Sequence, residues 1–254
     1  MSEDVLVSVT DGIMTVTLNR PAARNAVNRA VAFGIAEAMQ QLDDNASIHA
    51  AIITGAGGTF CSGMDLKAFV TGELPVVPGR GFAGLAEAPP TKPLIAAVEG
   101  FALAGGFEIA ITCDLIVSAD DARFGIPEVK RGLAAGAGGL VRLPRQIPRR
   151  IAMELAITGE PISAQRAYEL GLVNRVVGKG QTLQAATELA RTVAANGPLA
   201  VKTSKQIVQQ SQDWSQADTF AKQAPLLEAV LRSADAIEGA KAFAEKRAPV
   251  WKGK

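Results

Sequence analysis

Reactive side chains are scarce in this sequence of 254 residues: it has one histidine, His49, one tyrosine, Tyr168, and two cysteines, Cys61 and Cys113. A single histidine excludes a histidine-based metal cluster and disfavours a Ser-His or Cys-His nucleophilic pair. His49, in "NASIHAAIIT", reads as a structural residue at the entrance to an apolar strand. Two cysteines do not make a disulfide framework. Charge of one sign is lacking as well. Lys and Arg total 26 against 25 Asp and Glu, and a net charge of +1 gives no field for nucleic acid or an anionic membrane. No apolar run reaches the roughly 18 to 20 residues of a membrane span. The opening "MSEDVLVSV" has neither a basic region nor an apolar signal core, so a cytoplasmic location is expected. Acid/base chemistry therefore falls mainly to carboxylates.

What is present is core. Hydrophobic residues make up 48% of the chain, enough for one large domain or one domain with an appendage. Apolar segments at 5–9 and 13–19 flank Asp11-Gly12 and predict a hairpin. A helix is expected from about Val27 to Leu42, with Val27, Val31, Ile35, Ala38, Met39 and Leu42 on one face. Buried strands follow at 49–54, 93–100 and 115–119, with a short helix opened by Gly105-Gly106. This alternation predicts an α/β core with a largely parallel sheet. Residues 71–92, rich in Pro and Gly, predict a long loop with at most a short helix near Phe82 to Glu87, a lid or pocket wall by position. Beyond "RQIPRR" the pattern turns helical, with Ser163 as a cap, a brief strand at "LVNRVV", and three helices near 198–210, 214–230 and 233–247. A soft boundary near 197 divides a core domain, 1–196, from a C-terminal helical region, 197–254.

Two glycine-rich loops and two glutamates carry the chemistry. "AAIITGAGGTFCSGMD" resembles a dinucleotide-binding loop at Gly55 and Gly57, but the third glycine position falls on Phe60, and Tyr168 lacks a lysine four residues on. A nicotinamide enzyme is disfavoured. Gly63-Met64 and Gly105-Gly106 can instead present backbone N–H groups to one oxygen, although on composition alone plain turn glycines are the favoured reading of either loop. Glu108 lies in the apolar "ALAGGFEIAITCD", and Glu128 follows Pro127 at the edge of another apolar stretch. Burial raises a carboxyl pKa towards neutrality, as a general acid/base pair requires. Taken singly, each glutamate also suits a cap, an ion-pair partner or a rim residue.

The segments "NRPAARNAVN", "TFCSGMDLK", "KPLIAAVEGFALAGGFEIAITCDLIVSADDARFGIPEVKRGLAAGAGGLVRLPR", "AMELAITGEPISAQRAYELGLVNRVV" and "EGAKAFAEKR" together resemble the enoyl-CoA hydratase/isomerase (crotonase) superfamily, in order and over nearly the whole chain. The resemblance implies a spiral of ββα repeats with a C-terminal helical region that assembles trimers or hexamers. It implies an acyl-CoA thioester as substrate, an oxyanion hole at the N–H groups of Met64 and Gly105, and Glu108 and Glu128 as the catalytic carboxylates. Glu108 would help activate water for C3 and Glu128 would exchange the proton at C2, which favours hydration or dehydration over isomerisation.

Substrate contacts are implied at Ala22 and Arg24, at Ser62, Gly63, Asp65, Leu66 and Lys67, at Pro127, and at Phe243 and Lys246. The last two lie near the C-terminus, which in some members crosses the subunit boundary. No metal and no separate cofactor is implied, coenzyme A being part of the substrate. Three departures bear on the acyl group: Ala104 stands in the common triple-glycine turn, Met64 replaces a frequent alanine, and "KRGLAAG" lacks a frequent proline. The segments "VRLPRQIPRRIAMELAITGE" and "SADAIEGAKAFAEKRAPVWKGK" are similar to carnitinyl-CoA dehydratases. An isomerase, such a dehydratase and a CoA-binding protein without turnover are the alternatives.

Overall fold

A computed structural model describes residues 3–254. The chain opens with β1 (Val5–Thr10) and β2 (Ile13–Leu18), paired antiparallel with Thr10 opposite Ile13. Asp11 and Gly12 both have positive φ, 51° and 73°, as the tight two-residue hairpin turn requires. The one histidine serves this turn: His49 N donates to Gly12 O at 2.8 Å, and a Cβ on Gly12 would fall 2.7 Å from the imidazole.

The main sheet has six strands in the order β1-β2-β3-β6-β8-β11, where β3 is Ala50–Gly55, β6 Leu94–Val98, β8 Leu115–Ala119 and β11 Arg175–Val177. Every pairing after the first is parallel. Both faces are covered. Helix α1 (Arg29–Asp44) packs in the larger core with Ala51 and Ile53, whereas Ala50 and Ile52 turn towards Ala186 and Ala190 of α7 (Thr182–Ala194). Alternation along β3 thus feeds two cores, so the strand reads as a continuous apolar run. Helix α1 begins at Arg29 rather than Val27, because Asn28 caps it by accepting from Val31 N and Val27 is used in a bridge to Met64.

A second sheet, β10-β9-β7, comprises Ile162–Ser163, Arg123–Gly125 and Phe101–Leu103. It reveals the repeat. In β6–β7–α3 (Gly105–Thr112), the first strand joins the main sheet, the second joins the small one, and a helix follows. The unit β8–β9 with the 3-10 turn Pro127–Arg131 does the same, as does β3 with the Cys61–Ala102 bridge and α2 (Leu66–Val70). The architecture is the spiral of ββα units that the resemblance implied.

The loop at 71–92 departs from expectation. In place of a short helix near Phe82 it forms a small hairpin, β4 (Val76–Val77) with β5 (Gly81–Phe82), followed by turns. Positive φ at Gly79, Gly81, Ala83 and Gly84 rules a helix out there.

Helices α4 (Gly139–Gln146), α5 (Arg149–Thr158) and α6 (Ala164–Glu169) follow the spiral. The C-terminal part is α8 (Pro198–Gln210), α9 (Thr219–Leu231) and α10 (Ala234–Glu245). Lys205 anchors α8 to the core through Asp114 at 2.6 Å and Lys92 O at 2.8 Å. The tail returns onto α10, with the buried Asp235 carboxylate accepting from Lys252 N and Gly253 N. No helix among the described residues is long and apolar enough to cross a membrane.

Candidate active site

Helix α3 is buried along its whole length, and Glu108 lies one turn into it at 3% exposure. Its start is set by close backbone approach: a Cβ on Gly106 would collide with the Cys61 carbonyl. Glu108 Oε1 accepts from Ala137 N and Gly139 N, each at 2.8 Å, and no described group donates to Oε2. Burial raises the Glu108 pKa, while the two amides and the Arg142 guanidinium oppose that shift by favouring the carboxylate. Gly139 allows the carboxylate in, since a Cβ there would lie 3.1 Å from Oε1.

Glu128 stands on the 3-10 turn Pro127–Arg131. Its Oε2 is the one buried side-chain polar atom among the described residues without a hydrogen-bond partner. Desolvation pushes its pKa up to about 7; the charge of Glu108 adds to this, and its own backbone N–H and Arg131 oppose it. An orphaned oxygen of this kind calls for an explanation, and a ligand or a bound water is the usual one. The charge of Glu108 is felt at Glu128 and raises its pKa further.

The backbones that carry the Met64 and Gly105 amides approach each other closely. The 61–63 segment runs beside β7, with Cys61 N donating to Phe101 O and Leu103 N to Cys61 O. It brings Gly63 so close to the start of α3 that a Cβ there would lie 2.7 Å from Ala104 Cβ and 3.1 Å from Gly105 N. Neither Met64 N nor Gly105 N donates to a backbone carbonyl among the described residues. Gly105 is roofed by Phe82, whose ring occupies the space a Cβ would need. The turn into α3 is strained at Ala104, with φ 52° and ψ −132°, a conformation suited to glycine.

The remaining predicted residues divide into three groups. Ala22 and Arg24 lie at the 3-10 turn Pro21–Ala23, and Ser62 N donates to Arg24 O at 3.1 Å, so the 22–24 and 62–67 segments adjoin. Asp65 has a structural task. Its carboxylate accepts from Lys67 N and Ala68 N as the cap of α2 and pairs with Arg20 at 3.0 Å. Burial opposes ionisation there, but Arg20 and the amides hold its carboxyl below the usual range. Leu66 and Lys67 are exposed on α2, and Pro127 is half-buried next to Glu128. Phe243, 88% exposed, and the exposed Lys246 lie at the C-terminal end of α10.

Sequence reasoning missed the amides of Ala137 and Gly139, Arg142 and Phe82. The signal for the first pair was "AGAGG", a loop able to wrap a carboxylate. A cavity of about 1180 Å³ lies behind that loop between α3, α4 and α8. Its lining includes Ala137, Gly138 and Arg142 but not Glu128, Met64 or Gly105. Among the described residues no group of three or more His, Cys, Asp or Glu is arranged to hold a metal ion.

The site thus gathers a buried Glu108, a half-buried Glu128 with one buried oxygen, and the closely approaching backbones of Gly63 and Gly105. The sequence profile of the enoyl-CoA hydratase/isomerase family matches residues 8–254, and the chain belongs to that family. A carnitinyl-CoA dehydratase of Salmonella typhi is 42% identical over the full length of both chains. Among solved structures, an enoyl-CoA hydratase from Mycobacterium tuberculosis H37Rv superposes with a TM-score of 0.98 at 58% identity, covering all of both chains. A carnitinyl-CoA hydratase from Mycobacterium avium gives 0.80 at 42%, again over both chains entirely.

Proposed function

We propose that the protein is an acyl-CoA hydro-lyase that adds water reversibly across the 2,3 double bond of an enoyl-CoA thioester. The observation that carries this reading is the unlike setting of its two carboxyls: Glu108 is held by two amides and a cation, and Glu128 has a partnerless oxygen and a pKa of about 7. Two carboxyls tuned apart suit one base and one acid.

In the hydration direction the thioester oxygen accepts from Met64 N–H and Gly105 N–H. Each such donor, aimed at charge that develops in the transition state, is worth about 3–4 kcal/mol. Ionised Glu108 takes a proton from water as its oxygen bonds to C3, the π electrons move towards the thioester, and protonated Glu128 delivers a proton to C2. The pair holds one proton throughout, so dehydration is the same path reversed.

The substrate's CoA portion is assigned to the adjoining segments at Ala22, Arg24 and Ser62 to Lys67. No further cofactor enters this scheme. A homotrimer, or a pair of trimers, accounts for the apolar residues on the C-terminal helices: Phe220 is 79% exposed, Leu231 74% and Phe243 88%. Assembly through residues 197–254 would also carry Lys246 to a neighbour's CoA. The names of the full-length relatives favour a second substrate, a carnitine-derived acyl group, on the same chemistry.

The test is a panel of 2-enoyl-CoAs, crotonobetainyl-CoA and carnitinyl-CoA, read by mass spectrometry for gain or loss of water. Loss of the enoyl ultraviolet absorbance with a gain of one water supports hydration. A shifted double bond without water uptake supports the isomerase reading, and CoA affinity with no turnover across the panel supports a binding protein.

A further inference from the structure

We propose that Arg142 is a positioning residue for Glu108, and that its guanidinium fork ties the loop that binds this carboxylate to the loop that walls the site with Phe82. This inference rests on the hydro-lyase reading and deepens it. Arg142 lies on α4, the helix that begins at Gly139, whose N–H binds Glu108. Its Nη1 donates to Ala137 O at 3.2 Å and its Nη2 to Ala86 O at 2.5 Å.

Each bond joins a different wall. Ala137 turns its N–H to Glu108 and its carbonyl to Arg142, so one peptide segment is fixed from both sides. Ala86 N donates to Phe82 O, and Phe82 covers Gly105. The guanidinium therefore links the water-activating carboxylate to the roof over an oxyanion amide through two backbone carbonyls. A planar fork can make two such bonds at fixed geometry, and a lysine ammonium cannot reproduce it.

Gly138 shows how closely the fork is fitted. Its φ is 109°, and a Cβ there would overlap Arg142 Nη1. The four residues "AGGL" from Ala137 thus leave room for Arg142 at Gly138 and for Glu108 at Gly139. Arg142 on α4 favours the Glu108 carboxylate, and Glu128 on the 3-10 turn, neutral when it serves as the acid, responds to the Glu108 charge. Removing the cation leaves the anion with its two amides alone, so Glu108 protonates at a higher pH.

The experiment compares wild type, Arg142→Gln and Arg142→Lys with whichever enoyl-CoA the wild type hydrates. The pH profile of kcat/KM is measured together with amide hydrogen exchange of residues 80–88. Arg142→Gln is expected to lose about 10–100-fold in kcat with little change in KM, as misplacement of a reacting group does. Its acid limb moves to higher pH, and exchange at 80–88 rises. Arg142→Lys keeps the wild-type acid limb, because the charge remains, yet shows the raised exchange. If Arg142→Gln does not fold, the lysine variant decides alone: raised exchange with lowered kcat supports the proposal, and wild-type values of both overturn it. An unmoved acid limb in a folded Arg142→Gln, with only a lower melting temperature, reduces Arg142 to a stabilising residue and overturns the proposal. A wild type that hydrates nothing refutes the hydro-lyase reading instead, and exchange at 80–88 then still reports on the link between the two loops.

Discussion

Glu108 and Glu128 are both carboxyls that burial pushes towards the neutral form, yet the backbone around them differs. The loop at 137–139 wraps Glu108 with two N–H groups on one oxygen, and the helix that starts there adds its own N-terminal polarity. The turn at 127–131 leaves one Glu128 oxygen without any partner. Burial favours the neutral form of both, but Glu108 receives two amides and a cation, whereas Glu128 keeps one oxygen without a partner. A carboxyl pair becomes an acid and a base when the protein provides more for the anion of one than of the other.

Deleting either member breaks this comparison most severely. Glu108→Ala and Glu128→Gln are each expected to lower hydratase kcat by about 100- to 10,000-fold, the usual contribution of a positioned proton-transfer group. Steady-state kinetics on the enoyl-CoA that wild type turns over checks this, and full activity in Glu128→Gln would remove that residue from the reaction. A subtler break converts the Glu108 cradle without touching the carboxylate. Gly138→Ala places a methyl where Arg142 Nη1 lies, at a φ that alanine avoids. It should cost about 1–3 kcal/mol of stability, with a concurrent fall in kcat. Thermal unfolding and kinetics on the same sample test whether the two losses travel together.

The pH dependence sharpens the contrast. Glu128 has a folded pKa of about 7 against an ordinary 4.5, so the folded state prefers its neutral form. Its contribution to stability is fully present below about pH 4.5 and is lost as pH rises through 7. Glu128→Gln, neutral at every pH, should therefore be more stable than wild type at pH 8 by about 1–2 kcal/mol, after allowance for solvent screening, and match it near pH 4. Hydration by wild type should decline on the alkaline side as Glu128 gives up its proton. Equal melting of variant and wild type at pH 8 would show that Glu128 carries no such burial penalty.

The smallest effect concerns the turn that opens α3. Ala104→Gly relieves a conformation worth about 1–3 kcal/mol, partly offset by about 0.5–1 kcal/mol of glycine chain entropy. A rise of about 2–4 °C in melting temperature with unchanged kcat is expected. A fall would mean that the Ala104 methyl, packed beside Gly63, contributes more than the strain removes.

Local patterns carried much of the fold. The hairpin at Asp11-Gly12, the amphipathic face of α1 and the buried strands β3, β6 and β8 are all legible, because periodicity and turn chemistry act over a few residues. The strands β7 and β9 were not, being three residues each and extended by pairing with segments distant in sequence, with one another and with β10 and Cys61. The hairpin β4–β5 escaped for a similar reason. At the site, Glu108, Glu128 and the glycine loops stood out as acids and turns in apolar context, and the family resemblance placed them together.

By itself the sequence determined the alternation of strands and helices, the shortage of histidine and cysteine chemistry, and the two carboxyls with their glycine-rich neighbours. Only the tertiary structure decided which carboxyl is held by backbone amides and which keeps a partnerless oxygen. That choice depends on contacts between residues far apart in the chain: Glu108 with the Ala137 and Gly139 amides, and Arg142 with Ala86. A pKa is a property of such an environment, set by which dipoles and charges the fold brings within a few ångströms, and no short stretch of residues contains it.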